Sequence, residues 1–122
     1  MFRNQYLLTN KEIPSQKDTS KIPIGEFTLY FGKDIEYYTI QKNDKQITLL
    51  GYVFHCYNSL SEQKLIENLL TLSDAELLDE IDLWCGHFVL FVGKKDIKIY
   101  NDACASFKVF YGKNKEATVI GS

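Results

Sequence analysis

Cysteine and histidine are the side chains of this sequence with the widest chemical range, and they occur at three places. His55 and Cys56 are adjacent, whereas Cys85 and His87 are separated by one glycine. The third cysteine is Cys104. Thiolate and imidazole are ligands that Zn²⁺ prefers, and a Cys–His pair can also act as nucleophile and base. The residue types therefore raise two chemical hypotheses, a zinc site and a Cys/His-dependent hydrolase.

Neither hypothesis is supported by a local motif. The sequence contains no C-x-x-C pair, and neighbours on a strand, such as His55 and Cys56, point to opposite faces and would not share a ligand. We therefore expect no metal and no cofactor, and we expect the cysteines to be small buried side chains. The hydrolase stays open as an alternative, because it needs only one Cys and one His to meet in the folded chain.

The elements that would position these residues indicate an α+β fold with antiparallel sheets. Gly93–Asp96 is a turn that joins an unbroken apolar run to an alternating run, which predicts a central hairpin with one strand nearer water. Further runs with strand character complete a β-β-β, α-α, β-β-β-β order. The predicted strands cover 27–31, 36–40, 47–54, 87–92, 97–100, 107–111 and 116–120.

Two helices are predicted between the groups of strands, and they form a two-helix layer over 61–85. Ser59 or Ser61 can cap the first helix. Ser73 and Glu76 have the spacing of a capping box for the second, whose apolar periodicity continues to Cys85. A glycine follows directly, and we expect the second helix to end there.

The whole chain, 1–122, is predicted to be a single domain, complete or incomplete, that begins with an irregular arm. Residues 1–24 hold one short apolar segment, followed by a polar stretch with Pro14 that favours a loop. Most aromatic residues of the predicted strands are expected in the core, and an exposed subset would suit a partner surface.

Several short motifs, taken in order, resemble a known family. They are Leu50-Gly51-Tyr52-Val53, Ser61-Glu62-Gln63-Lys64-Leu65-Ile66, Gly86-His87-Phe88, Asp102 to Tyr111, and Val119-Ile120-Gly121-Ser122. Together they resemble the N-terminal glutamine amidotransferase domain (class II, Ntn-hydrolase-like) of asparagine synthetase-like proteins, in a degenerate and truncated form. The branch found in bacterial biosynthetic clusters is the most similar. The resemblance implies a partial Ntn-hydrolase-like αββα sandwich.

The same resemblance implies a degenerate active site. Family members hydrolyse glutamine with an N-terminal cysteine, whereas this sequence begins Met1-Phe2. Leu50 stands where the family has an asparagine that donates to the oxyanion. We therefore expect no catalytic residue on this chain, and a vestigial ligand-binding site of Gly51, Glu62 and Asp102.

The expected function is that of a scaffold or docking module for an ATP-dependent, amide-forming synthetase domain or partner protein. The alternatives are an amino-acid-binding module and the Cys/His-dependent hydrolase. A formal charge of −2 without a basic stripe argues against nucleic acid, and no apolar run has membrane-spanning length. Three cysteines in a chain without a secretory segment favour a cytoplasmic location. An open sheet edge would permit self-association.

Overall fold

The computed structural model describes residues 5–14, 17–102, 109–113 and 118–121. It confirms the α+β class, with two antiparallel sheets of five and four strands and two short helices in the described part. The elements are β1 (Tyr6–Thr9), β2 (Thr19–Ile24), β3 (Phe27–Gly32), β4 (Tyr37–Lys42), β5 (Lys45–His55), α1 (Glu62–Leu69), α2 (Asp74–Ile81), β6 (Trp84–Val92), β7 (Lys98–Asn101), β8 (Phe110–Lys113) and β9 (Thr118–Gly121).

The four-stranded sheet has the order β4-β5-β6-β7, so the predicted hairpin of an inner and an outer strand is confirmed. The long pair β5 and β6 runs in continuous register from Ile47 opposite Val92 to His55 opposite Trp84. Since side chains alternate along a strand, this register assigns every residue of the pair to one of two faces.

The five-stranded sheet has the order β2-β3-β1-β9-β8. Its central strand is β1, which pairs with β3 on one side and with β9 on the other. The N-terminal segment of the described chain therefore holds the middle of this sheet and joins elements from both ends of the sequence.

Two apolar clusters divide the core into layers. In the first, one face of the four-stranded sheet packs against both helices, with Leu49 and Phe88 among the sheet residues and Leu65 and Leu77 among the helix residues. In the second, the opposite face packs against the five-stranded sheet. The order of layers is therefore helices, four strands, five strands.

Both helices begin at serine caps, as such short helices require. Ser61 caps α1 by accepting from the backbone N–H of Lys64 at 3.3 Å, which decides between the two predicted serines. The capping box at α2 is confirmed, because Ser73 and Glu76 each accept a hydrogen bond from the other's backbone N–H.

The helix layer is also tied to the sheet by one lysine. The ammonium group of Lys45, at the start of β5, donates to the backbone carbonyls of Leu69 at 3.1 Å and Leu72 at 3.0 Å. These carbonyls lie at the end of α1 and just after it, and the carbonyl of Leu69 also accepts from the backbone N–H of Leu72 at 3.2 Å.

Two predictions about the elements were wrong. The described part of residues 1–24 is not an irregular arm, since β1 and β2 lie there. Long-range pairing with β3 overrides the weak local signal of these two segments. The second helix ends at Ile81, and Trp84 and Cys85 belong to β6, where they pair with His55 and Phe54.

Gly86 is correspondingly not a helix terminator but an interior residue of β6. Its φ is +135°, and a Cβ built on it would lie 2.2 Å from the backbone carbonyl oxygen of Tyr52. Glycine is needed here because the facing strand approaches too closely for any side chain.

Candidate functional site

Two of the three predicted ligand-binding residues lie on either side of Phe88. Gly51 on β5 is its partner in the sheet. Asp102, just after β7, exchanges two bonds with it: the Phe88 N–H donates to Oδ1 of Asp102 at 3.1 Å, and the Asp102 N–H donates to the Phe88 carbonyl at 3.2 Å. Two strand spacings therefore separate Gly51 from Asp102, or about 10 Å.

Both residues have a structural role in this position. The carboxylate of Asp102 is only 6 % exposed and extends the ladder of β6 by accepting from a buried backbone N–H. Gly51 has a φ of +98°, and its N–H donates to the carbonyl of Glu36 at 2.8 Å. The geometry explains these two residues without a ligand.

The third predicted residue, Glu62, is placed differently. It is half-buried in the first turn of α1, where a carboxylate stabilises the helix dipole. Its charge raises the pKa of the Tyr38 phenol on β4, after the larger effect of burial. Glu62 is thus near β4, whereas Asp102 is at the β7 side of the sheet.

Leu50, at the position that the resemblance assigns to an oxyanion donor, lies deep in the molecule. It is 0 % exposed and packs between the two sheets with Val89 and Phe91. A hydrocarbon side chain in an apolar cluster offers no hydrogen-bond donor to a developing negative charge.

The thiols of Cys56 and Cys85 contact each other in the described part of the chain. Their sulfur atoms are 3.0 Å apart, in hydrogen-bond contact. Cys56 is exposed and Cys85 half-buried, which corrects the prediction of buried cysteines. The hydrogen bond to Cys85, with a smaller effect of burial, raises the pKa of the Cys56 thiol. Cys104 lies outside the described residues.

His55 is directed away from this pair, to the helix side of the sheet. Its Nδ1 accepts from the backbone N–H of Tyr57 at 3.0 Å, and its Nε2 lies 3.2 Å from Oε1 of Glu80. The same oxygen accepts from the Trp84 indole N–H at 3.4 Å. Both ring nitrogens are therefore engaged, and His55 is not placed as a base for Cys56.

The ends of β5 and β6 carry an exposed aromatic patch, which we define as Tyr52, Phe54 and His87. These residues share a face with Leu50 and Val89, but they extend beyond the part of that face covered by the second sheet. Tyr52 is 44 % exposed and Phe54 is 54 % exposed. The rings of Tyr52 and His87 meet edge to face at 5.3 Å between centroids.

Sequence patterning placed most strand aromatics in the core, and for this patch that prediction was wrong. Tyr30 and Phe31 are buried as expected, whereas Tyr37 is half exposed. Alternation shows which side chains share a face, but it does not show where the covering sheet ends. No signal in the sequence could have located that boundary.

Two shallow cavities lie away from these residues. One, of about 410 Å³, is lined by Asn10, Lys21 and Tyr30 among others, and the second, of about 350 Å³, lies beside Ile40 and Gln46. Within the described ranges, no three His, Cys, Asp or Glu side chains are grouped as a metal site would require. Neither described helix has the length and apolar content that crossing a bilayer demands.

Comparison with known proteins finds no counterpart for this chain. No protein-family model, no curated protein and no solved structure matches it.

Proposed function

We propose that this chain is a non-catalytic, glutamine amidotransferase-like domain that acts as a scaffold or docking module for an asparagine-synthetase-type, ATP-dependent amide-forming unit. The observation that carries the docking role is the exposed aromatic patch at the end of the β5–β6 pair. The amidotransferase-like character rests on the sequence motifs, and the layer order of helices, four strands and five strands is compatible with a partial αββα sandwich.

The absence of catalysis is supported by what surrounds the motif residues. Leu50 is embedded in the core, and Asp102 is bonded to the backbone of Phe88. Losing a single oxyanion donor typically lowers kcat by a factor of about 10² to 10³. Leu50 packs in the core and Asp102 bonds to the backbone, so neither side chain is placed for hydrolysis. This arrangement fits a binding function better than a hydrolytic one.

The docking role is supported by the chemistry of the exposed aromatic patch. Tyrosine and phenylalanine bury a large apolar area with few rotatable bonds, and aromatic residues are enriched at protein interfaces. The patch lies on two paired strands rather than on a loop, because the β5–β6 register is continuous from Ile47 opposite Val92 to His55 opposite Trp84. A partner would therefore meet a preorganised surface.

The test uses the purified chain and the asparagine-synthetase-type synthetase domain from the same organism. Binding is measured by calorimetry for the wild type, for the double variant Tyr52→Ser/Phe54→Ser, and for Phe110→Ser as a control. Phe110 is exposed to a similar extent but lies on the edge strand of the other sheet. We expect the double variant to lose about 30-fold in affinity, as hot-spot residues do, and the control to bind like the wild type.

Three results would contradict the proposal. Two of them are equal affinity for the double variant and the wild type, and no binding of the synthetase domain at all. The third is ammonia release from glutamine that alkylation of the cysteines abolishes, since that would make the chain an enzyme.

The amino-acid-binding alternative predicts a different result in the same instrument. Glutamine, glutamate, asparagine or aspartate would release heat on binding, and Glu62→Gln would remove that heat. The separation of Glu62 from Asp102 across the sheet makes a shared pocket a weaker hypothesis than the docking surface.

A further inference from the structure

The Cys56–Cys85 pair is a contact between two thiols that the proposed function leaves unused. We propose that these two cysteines form a reversible intramolecular disulfide, which closes in response to a peroxide or a small disulfide such as oxidised glutathione. The proposal concerns a modification site and does not depend on the docking role.

The first argument is the position of the two residues in the sheet. Cys85 pairs with Phe54 on β5, and the backbone N–H of Cys56 donates to the carbonyl of Leu83 at 2.9 Å. Cys56 is therefore a diagonal neighbour of Cys85 across adjacent strands, and the alternation puts both side chains on the same face. The pair is held together by the β5–β6 ladder on one side and by the Cys56–Leu83 hydrogen bond at its end.

The second argument is the distance between the sulfur atoms. They lie 3.0 Å apart, whereas a disulfide bond is about 2.0 Å long. Closing the bond shortens this sulfur–sulfur distance by about 1 Å.

The third argument is access. Oxidants reach exposed thiols first, and a second thiol within contact then resolves the oxidised sulfur. Cys56 is exposed and Cys85 is half-buried beside it. This assigns Cys56 as the residue oxidised first and Cys85 as the resolving residue.

The reaction with hydrogen peroxide balances in two steps. The Cys56 sulfur attacks one peroxide oxygen, so that an S–O bond forms as the O–O bond breaks, and the released hydroxide leaves as water with the proton of the Cys56 thiol. The Cys85 sulfur then attacks the Cys56 sulfur, so that the S–S bond forms and the S–O bond breaks. The second hydroxide leaves as water with the proton of the Cys85 thiol. In total the two thiols lose two electrons and two protons, and one peroxide becomes two waters. With oxidised glutathione the same two electrons and protons produce two molecules of reduced glutathione.

The disulfide would close a loop that contains both helices. Residues 56 and 85 are 29 positions apart, and α1 and α2 lie between them. Cross-linking such a loop restricts the unfolded chain and should raise the melting temperature by roughly 10 °C. The oxidised state would therefore hold the helix layer more firmly on the four-stranded sheet.

The experiment counts thiols in the full chain before and after treatment with hydrogen peroxide, under denaturing conditions with Ellman's reagent. The reduced wild type should give three thiols per chain, from its three cysteines, and the oxidised wild type one. Peptide mapping by mass spectrometry should find Cys56 linked to Cys85. Dithiothreitol should restore the full count and reverse the rise in melting temperature.

Three variants make the test specific. Cys56→Ser and Cys85→Ser should each abolish the internal disulfide and the melting shift. Cys104→Ser should keep both. The proposal is overturned if Cys56 and Cys85 are alkylated independently after oxidation, if either one pairs with Cys104 instead, or if the oxidised chain melts at the same temperature as the reduced chain.

Discussion

Replacing Gly86 by alanine tests the account of the β5–β6 pair most directly. The new Cβ would lie 2.2 Å from the carbonyl oxygen of Tyr52 and 3.1 Å from the Cα of Val53, both of which are backbone atoms. A positive φ at a residue with a side chain costs about 1–3 kcal/mol. Forcing the two strands apart costs about 1–3 kcal/mol more, as overpacking does elsewhere. We expect Gly86→Ala to lower the free energy of unfolding by about 4 kcal/mol.

A loss of stability of this size is measurable by equilibrium unfolding in urea. A domain of 122 residues has a total stability of about 6–18 kcal/mol, so the variant should remain folded at 25 °C. With a slope of about 1.5 kcal/mol per molar urea, the midpoint should fall by roughly 2 to 3 M. The slope itself should not change, because the folded state buries the same surface.

Gly93→Ala is the matched control. Gly93 also has a positive φ, of +106°, but its Cβ would meet the nearest atom, a carbonyl oxygen of Asp96, at 3.0 Å. Gly93→Ala should therefore introduce the backbone strain with little of the steric clash. Its free energy of unfolding should fall by about 1–2 kcal/mol. Equal losses for the two variants, or a loss below about 1 kcal/mol for Gly86→Ala, would refute the claim of close strand approach.

Three further predictions concern stability. Asp102→Ala removes the acceptor of the buried Phe88 N–H and should cost about 1–3 kcal/mol in urea unfolding, whereas Asp102→Asn keeps an oxygen and should cost less; equal costs would argue against that hydrogen bond. Ser73→Ala removes the cap of α2 and should cost about 1 kcal/mol, while an unchanged midpoint would show that the capping box is dispensable. Tyr6 is 2 % exposed, and burial raises the pKa of its phenol to about 12. Because the unfolded phenol ionises at its ordinary pKa near 10, this contribution to stability is present below about pH 10 and is lost as the pH rises toward 12. Tyr6→Phe should make the alkaline loss of stability smaller, and an identical pH profile would contradict this.

The predictable part of the fold is the part that local patterns specify. The apolar run at Phe88–Val92, the turn after it and the serine caps all act within a few residues, and each was found where the sequence indicated. These signals depend on backbone periodicity and capping chemistry, which do not need knowledge of distant partners.

The unpredicted part depends on partners far along the chain. β1 has only four residues, and it is a strand because β3 and β9 pair with it on both sides. β2 contains Pro23, which a sheet tolerates at an edge, and β2 is an edge strand. Trp84 continues the helical apolar period of α2, yet it belongs to strand β6 because it pairs with His55.

The candidate site was predictable to a lesser degree. The sequence singled out Gly51 and Asp102, and the structure brings both beside Phe88, but in backbone roles. The contact of Cys56 with Cys85 could not be predicted, because it follows from the register of β5 and β6 and from Cys85 being on a strand. The residue type alone indicated thiol chemistry, whereas the contact between Cys56 and Cys85 is visible only in the tertiary structure.

The Lys45 ammonium group has a consequence for how α1 is held in the folded chain. Eight-residue helices are unstable alone in water, since nucleation costs more than one or two turns return. At its carboxyl end α1 depends on a cation that belongs to the first residue of β5. The carboxyl end of α1 gains this interaction only where the start of β5 lies against it, so the lysine couples the persistence of the helix to its packing on the four-stranded sheet.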